Sequence, residues 1–470
     1  MKIKQHLSFT ALRRKMSEVF NSIPDQRQQN KISISLHDAL MSGFACMHFQ
    51  DNSLLQFQTR MQEEQHKNNL STLFEVTHIP SDTQMRDIID KISSDYFNPI
   101  FSDFCIRLQR GKQLEQFQIF PTMYYFPMDG SEYYSSTEVH CEKCLRKEHK
   151  KGEMTYSHQV LQGGIAHPDY TEVIPFMPEP IGNEDGTDKQ DCEMNAAKRY
   201  LNLVRKAHPQ MNFLIGGDAL FSRQPLIEEV LSLRMHYLFA AKPDDHKVMM
   251  RTIEEYQDTS AIEFMDEKGR RHIYEWVNFV PLNGNKESVR VNYLSCTIIK
   301  TNKQSEEIIA YKNSWVTDIK ISQENIKTLV AAGRCRWKNE NEMFNVMKNH
   351  GYCMDHNYGH GHHNLSFNFY LLTLLAFTMH QIFELTDKLY QACRKKCGSK
   401  KHLWETIRSY IKIIIFDTWE LLLEFVLKPT DLNWLQCNKR PEFIFFKFPS
   451  YYNKKIHCVG CARFKNKISI

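Results

Sequence analysis

Phe213-Leu214-Ile215-Gly216-Gly217-Asp218-Ala219-Leu220-Phe221-Ser222-Arg223 is a short apolar run that stops on two glycines and an acid. A run of that length, bounded by turn residues, reads as a buried strand. An earlier stretch repeats the pattern: Tyr124-Tyr125-Phe126-Pro127-Met128 is apolar and aromatic, and Asp129-Gly130-Ser131 follows it. Between the two, Gln190-Asp191-Cys192-Glu193-Met194-Asn195-Ala196-Ala197-Lys198-Arg199-Tyr200-Leu201 reads as a crossover helix. Strand, helix, strand is the βαβ alternation of an α/β protein with a mixed sheet. Such sheets place their chemistry beyond the carboxyl ends of strands, where Asp129 and Asp218 are expected.

A third acid lies in Gly333-Arg334-Cys335-Arg336-Trp337-Lys338-Asn339-Glu340-Asn341-Glu342-Met343-Phe344-Asn345-Val346-Met347-Lys348, which reads as a helix. At helical spacing Arg336, Glu340 and Lys348 turn toward one side. On its own that pattern also describes a solvated salt-bridge ladder. Joined by Asp129 and Asp218 it describes an oxygen-rich site, and hard carboxylate oxygens suit Mg²⁺. Glu342, two positions on, is the alternative third ligand.

In their order these motifs resemble the DDE transposases of bacterial insertion sequences. The resemblance runs over about residues 30 to 380 and is closest to the group with a β-rich insertion between the second Asp and the Glu. The matching residues are Asp129 in strand-Asp-Gly-Ser, Asp218 in Gly-Gly-Asp-Ala-Leu, and Glu340 in Arg336-Trp337-x-x-Glu340 with a lysine beyond. The resemblance implies an RNase H-like mixed sheet with helices on both faces, interrupted by an antiparallel β insertion, with helical N- and C-terminal regions. It implies two Mg²⁺ ions, for which Mn²⁺ can substitute, with Asp129 bridging both, Asp218 on one and Glu340 on the other. Arg336 and Lys348 would grip DNA phosphates. The expected reaction is cleavage at transposon ends and strand transfer into target DNA. The expected partners are double-stranded inverted-repeat ends, target DNA and a second copy of the chain in a homodimer on paired ends. An RNase H-like nuclease without strand transfer, or an inactive DNA-binding derivative, would share many of these features. Two positions depart from the family pattern. The lysine that usually stands seven residues after the Glu comes eight after, since position 347 is Met. The tyrosine usually three residues before the Arg is replaced by Gly333.

Composition allows this reading without requiring it. The chain has 470 residues, enough for several domains, and its 60 Lys and Arg against 55 Asp and Glu leave a net charge of only +5. A DNA-binding surface would therefore have to be local. The opening Met1-Lys2-Ile3-Lys4-Gln5-His6 lacks an apolar signal region. The most apolar stretch, Phe369 to Met379, reads as a buried helix and not as a membrane span. The resemblance implies a location in the bacterial cytoplasm, associated with the nucleoid.

The regions follow from changes in pattern. Residues 1–115 read as helical, and in the resembled family such helices contact DNA ends. Residues 116–244 carry the first part of the catalytic domain. Residues 245–322 are rich in strand signals and contain an Asn283-Gly284 turn. They fill most of the 340 − 218 = 122 positions between Asp218 and Glu340. Residues 323–385 return to the catalytic domain with the Glu helix, and 386–470 form a helical, basic end. Trp315, late in the insertion, could be an aromatic that stacks on a flipped base or a core residue.

Thirteen cysteines spread through the chain fit free thiols better than a disulfide framework. Cys141-x-x-Cys144 with His149 and His158 nearby has spacing that could hold structural zinc. Cys458-x-x-Cys461 is a second pair, and both pairs could instead be unligated. His356-Asn357-Tyr358-Gly359-His360-Gly361-His362-His363 is dense in imidazole; it could bind metal, touch DNA or cap the apolar helix that follows.

Overall fold

The computed structural model describes residues 5–429, apart from 52, 63–67, 151, 184–190, 256–258, 303 and 356–357. Residues 430–470, with Cys458 and Cys461 among them, lie outside the described residues.

The protein is mixed α/β. Twelve strands among the described residues form one sheet: β1 (Gln118–Phe120), β2 (Met123–Ser136), β3 (Leu145–Glu148), β4 (Met154–Ile165), β5 (Ile174–Pro175), β6 (Glu179–Ile181), β7 (Asn212–Gly217), β8 (His236–Ala240), β9 (Ser260–Met265), β10 (Arg271–Pro281), β11 (Arg290–Thr301) and β12 (Glu307–Thr317). Their order is β3-β4-β2-β7-β8-β12-β11-β10-β9, with β1 on β2 and with β5 and β6 on β4. β2, β7 and β8 are parallel; β4 is antiparallel to β2. The antiparallel strands after position 245 continue this sheet, because β12 pairs with β8 through Trp315↔Ala240 to Thr317↔Leu238. The Asn283-Gly284 turn falls within a longer connection between β10 and β11, not a two-residue hairpin.

Sequence reading ended the second strand at Asp129. Instead β2 runs on to Ser136, and Asp129 sits where the strand changes partners. Met123 to Pro127 pair with β7, while Met128 to Ser136 pair with β4. The first six residues of β2 are buried without alternation, as expected for a strand covered on both faces. Phe126 packs on Tyr200 of α7 (Glu193–Ala207), with ring centroids 6.0 Å apart. Tyr125 turns to the other face, near Cys335 at the end of α10 (Ile326–Cys335). Its ring crosses Gly216, and Phe221 crosses Gly217; a Cβ at either glycine would collide with the ring above it. The two glycines before Asp218 are thus required by packing.

Helix Phe9–Ser22, itself covered by Asn98–Arg110, packs on Leu36–His48; Leu36–His48 and Asp82–Asp90 in turn pack against a long helix, Leu365–Thr386. That helix is long and apolar enough to cross a membrane, yet 83% of its most apolar window is buried inside the protein. Its His380 meets His48 at 3.3 Å and Tyr352 at 2.6 Å, so both ring nitrogens of this buried imidazole have partners inside the protein. Three further helices, Lys388–Cys397, Lys400–Ile411 and Trp419–Leu427, close this end of the molecule.

Candidate active site

The parallel register decides where two of the acids meet. Pro127 is paired with Gly216, so two residues further along each strand Asp129 and Asp218 stand side by side at the same edge. Asp218 then turns the chain by accepting the backbone N–H of Leu220 at 2.9 Å. The third acid arrives from the opposite side of the chain. A cleft of about 550 Å³ is lined by Asp129, Gly130, Ser131, Glu132, Asp218, Arg336, Glu340, Phe344, Asn345, Lys348 and Asn349. Asp129, Asp218 and Glu340 therefore share one cavity together with the two basic residues expected beside them. Burial lifts the Asp129 carboxyl above the usual range; Arg336 opposes this, and the charges of Asp218 and Glu340 add to it. That mutual repulsion is the electrostatic mark of three acids gathered in one place.

Arg336 does not reach out toward solvent. Its Nη1 donates to Asp129 Oδ2 at 2.8 Å, and both side chains are about a quarter exposed. Lys348 lines the cleft, with Asp355 3.8 Å away.

The segment bearing Glu340 is not one regular helix. α10 stops at Cys335, Asn339–Phe344 form a π-helical turn, and α11 covers Asn345–Asn349. π turns close i to i+5 and occur mostly as single bulges near functional sites. A π turn takes about one residue more than an α turn, so eight steps from Glu340 to Lys348 do what seven do in regular helix. The ~80° offset that ideal α geometry gives is thereby reduced, and both residues face the same cleft. Glu342 faces elsewhere. It lines a separate cavity of about 700 Å³ with Tyr352, His380, Arg394 and Trp404.

Lys338 anchors this segment from behind. It is 6% exposed, and its ammonium donates to the carbonyls of His167 (2.9 Å), Pro168 (2.8 Å) and Tyr170. Asn339 adds a bond to Gln162 O at 2.9 Å, on the strand paired with Asp129. Neither residue stood out in the sequence, where they occupy the unspecified positions between Trp337 and Glu340.

A fourth acid was also missed. Glu193, in the first turn of α7, lies so close to Gly130 that a Cβ there would strike its carboxylate. Burial raises its acid range, followed by the charges of Asp218 and Asp129. In the sequence, one Glu in a helix's first turn reads as a favourable N-terminal charge and nothing more.

Trp315 is a core residue. It is 1% exposed, and its indole would be 2.6 Å from a Cβ placed on Gly333. It occupies the space that a side chain at 333 would need.

Of the expected metal residues, Cys141 and Cys144 come together with His158 and with His360, their ligand atoms all within 4.8 Å of one another. His149 does not join them; its Nε2 contacts Thr155 Oγ1 at 2.8 Å on the outer ribbon. The imidazole-rich loop serves two roles. His360 enters the thiol cluster, and the N–H groups of His362, His363, Asn364 and Leu365 all bond to Asp90 at 2.9–3.0 Å, capping the long helix. All ten cysteines among the described residues are unbridged.

No protein-family model matches the chain, and no curated protein matches it in sequence.

Proposed function

We propose that the chain is a DDE-type transposase that cleaves DNA at the ends of its element and joins those ends to a target. The observation that carries this reading is the convergence of Asp129, Asp218 and Glu340, far apart in sequence, on one cleft with Arg336 and Lys348. The sheet supports it: β6-β4-β2-β7-β8, with β4 alone reversed against the parallel β2, β7 and β8, is the strand arrangement expected of an RNase H-like core. The placement of four antiparallel strands between Asp218 and Glu340 agrees with the β-insertion group.

The donor set fits magnesium. Three carboxylates in an open cleft offer hard oxygen ligands with room for water, and their mutual repulsion at Asp129 favours a bound cation. Asp129, Asp218 and Glu340 would hold it. Two Mg²⁺ ions held there would supply activation of the attacking water or 3′-hydroxyl and neutralisation of charge on the leaving oxygen. Glu193, behind Gly130, adds negative charge beside Asp129 and Asp218 and so strengthens the site's attraction for a cation.

The basic residues have separate tasks. Arg336 compensates the charge of Asp129 at 2.8 Å; with a metal held by that carboxylate, the guanidinium would be available to grip a phosphate bidentately. Lys348, on the same wall, holds a second phosphate as a point charge. Lys338 and Asn339 fix the height of the Glu340 turn over the sheet, which sets the spacing of the acids. Gly333 stands where related enzymes have tyrosine because Trp315 fills that space. The partners on this reading are inverted-repeat DNA ends, a target duplex and a second copy of the chain.

The test is a strand-transfer assay with Mg²⁺ and DNA carrying the repeats that flank the gene. Wild type should yield joined product, and Asp129→Ala should yield neither cleavage nor joining. Cleavage without joining would reduce the function to that of a nuclease; cleavage by Asp129→Ala would end the proposal.

A further inference from the structure

We propose that Cys141, Cys144, His158 and His360 bind one Zn²⁺ in a closed tetrahedral site that fastens the β2–β4 ribbon to the loop leading into the long apolar helix. The argument is geometric and does not depend on the carboxylate cleft. Zinc–sulfur and zinc–nitrogen bonds of ~2.3 Å and ~2.0 Å, set tetrahedrally, give ligand–ligand edges of about 3.8 Å for S–S, 3.5 Å for S–N and 3.3 Å for N–N. The corresponding separations are 3.8 Å for Cys141 Sγ to Cys144 Sγ; 3.6, 3.3 and 3.5 Å for three sulfur–nitrogen pairs; and 3.0 Å for His158 Nε2 to His360 Nε2. A disulfide would need the sulfurs at ~2.05 Å. Hydrogen bonding alone would not draw two thiols and two imidazoles into one such tetrahedron.

The surroundings are those of a structural site. Cys144 N–H bonds back to Cys141 O at 3.2 Å, and Cys141 N–H points at Cys144 Sγ at 3.4 Å, so the Cys-x-x-Cys turn presents both sulfurs to one point. His360 Nδ1 is 2.7 Å from Gly361 O, which makes Nδ1 the donor and leaves Nε2 as the ligand atom. Tyr134 lies against His360 with ring centroids 4.6 Å apart, and Tyr133 stacks on His158. Cys144 is fully buried and His360 is 8% exposed. Four protein ligands leave no position for substrate, and a mixed thiolate–imidazole set selects zinc over magnesium or calcium.

What the ion would do follows from where its ligands lie. Cys141 and Cys144 sit in the link from β2 to β3, His158 is in β4 opposite Tyr134, and His360 is 202 residues further along the chain. Asp129 lies on β2 itself, five residues before Tyr134. Zinc would thus close a very long loop and hold the far half of the strand that carries Asp129.

The test uses full-length protein, prepared without chelator or polyhistidine tag, with Cys458→Ser and Cys461→Ser to remove the tail thiols. Elemental analysis should give one zinc per chain, and X-ray absorption should show two sulfur and two nitrogen neighbours. Cys144→Ser or His360→Ala should lose that zinc, whereas His149→Ala should keep it. If the ligand variants fail to fold, the absorption spectrum of the parent still decides. Folded parent that takes up no zinc during dialysis against it, a shell of oxygen and nitrogen alone, or zinc retained by His360→Ala would each overturn the proposal.

Discussion

Arg336 and Asp129 are joined by a 2.8 Å ion pair that spans 207 residues of sequence and links the turn after α10 to β2. Arg336 thereby offsets an acid that burial and two other carboxylates push toward protonation. Arg336→Gln should lower the stability of metal-free protein by about 1 kcal/mol, a modest loss because both partners are partly exposed. Saturating Mg²⁺ should restore most of it, and DNA cleavage should fall about a hundredfold through loss of a phosphate contact. Thermal melts with and without Mg²⁺, run beside a cleavage assay, check this; a variant that melts like wild type under both conditions contradicts it.

Lys338 presents a test confined to folding. Its ammonium is buried against three carbonyls of residues 167 to 170. Lys338→Met keeps the stem but removes the ammonium from all three; His167 O keeps the N–H of Tyr170 at 3.3 Å, while the carbonyls of Pro168 and Tyr170 lose the Lys338 bond. The expected loss is about 2 kcal/mol in urea unfolding, with cleavage also reduced because the Glu340 turn loses its rear support.

The packing of Trp315 on Gly333 can be probed from both sides. Gly333→Ala forces a methyl to within 2.6 Å of the indole and should cost about 1–3 kcal/mol. Trp315→Ala should cost about 3–5 kcal/mol by opening a cavity. In the double variant the new methyl has room, so the costs should not add. Additive losses in denaturant unfolding would mean that the two residues do not share that space.

His236 and Asp318 form a pH-sensitive joint where the antiparallel strands meet the parallel ones. His236 Nδ1 is 2.6 Å from Asp318 Oδ2, and Asp318 Oδ1 accepts Tyr237 N–H at 3.0 Å. Its hydrogen bond to Asp318 raises the imidazole's titration range, against the opposing effect of burial. A raised histidine contributes stability that is fully present below the ordinary value of about 6.5 and is lost as pH rises through the folded value. The urea midpoint should therefore fall as the pH rises above about 6.5, and Asp318→Asn should flatten that slope. Following the His236 ring by NMR would show its titration shifting down in the variant.

The sequence revealed those parts that one local run can encode. Apolar stretches ending in Asp129 and Asp218 gave the strands, and the interval between Asp218 and Glu340 gave the antiparallel block. The register that sets Asp129 beside Asp218 was not legible, because it depends on pairing between strands nearly ninety positions apart. Nor was the continuation of β2 past Asp129, since the polar residues from Gly130 onward fit a turn as well as an edge-facing strand. The π turn at Asn339–Phe344 has no local signature, so Lys348 seemed misplaced by one residue when read on an ideal helix. His360 could be seen only as one of many histidines; its partnership with Cys141, Cys144 and His158 is made entirely by the fold. Glu193 and Lys338 escaped for the same reason: each looks like an ordinary helix charge until its surroundings are known.

The choice between two neighbouring glutamates tests the whole account most directly. Glu340 shares the cleft with Asp129 and Asp218, whereas Glu342 lines the cavity beyond the π turn. Mg²⁺-dependent cleavage of terminal-repeat DNA should drop about a thousandfold in Glu340→Gln, as expected when a metal ligand worth several kcal/mol is lost. Glu342→Gln, similarly folded, should stay within about threefold of wild type, far less than a lost ligand would cost. Equal activity in both variants, or a loss confined to Glu342→Gln, would contradict the carboxylate site described above.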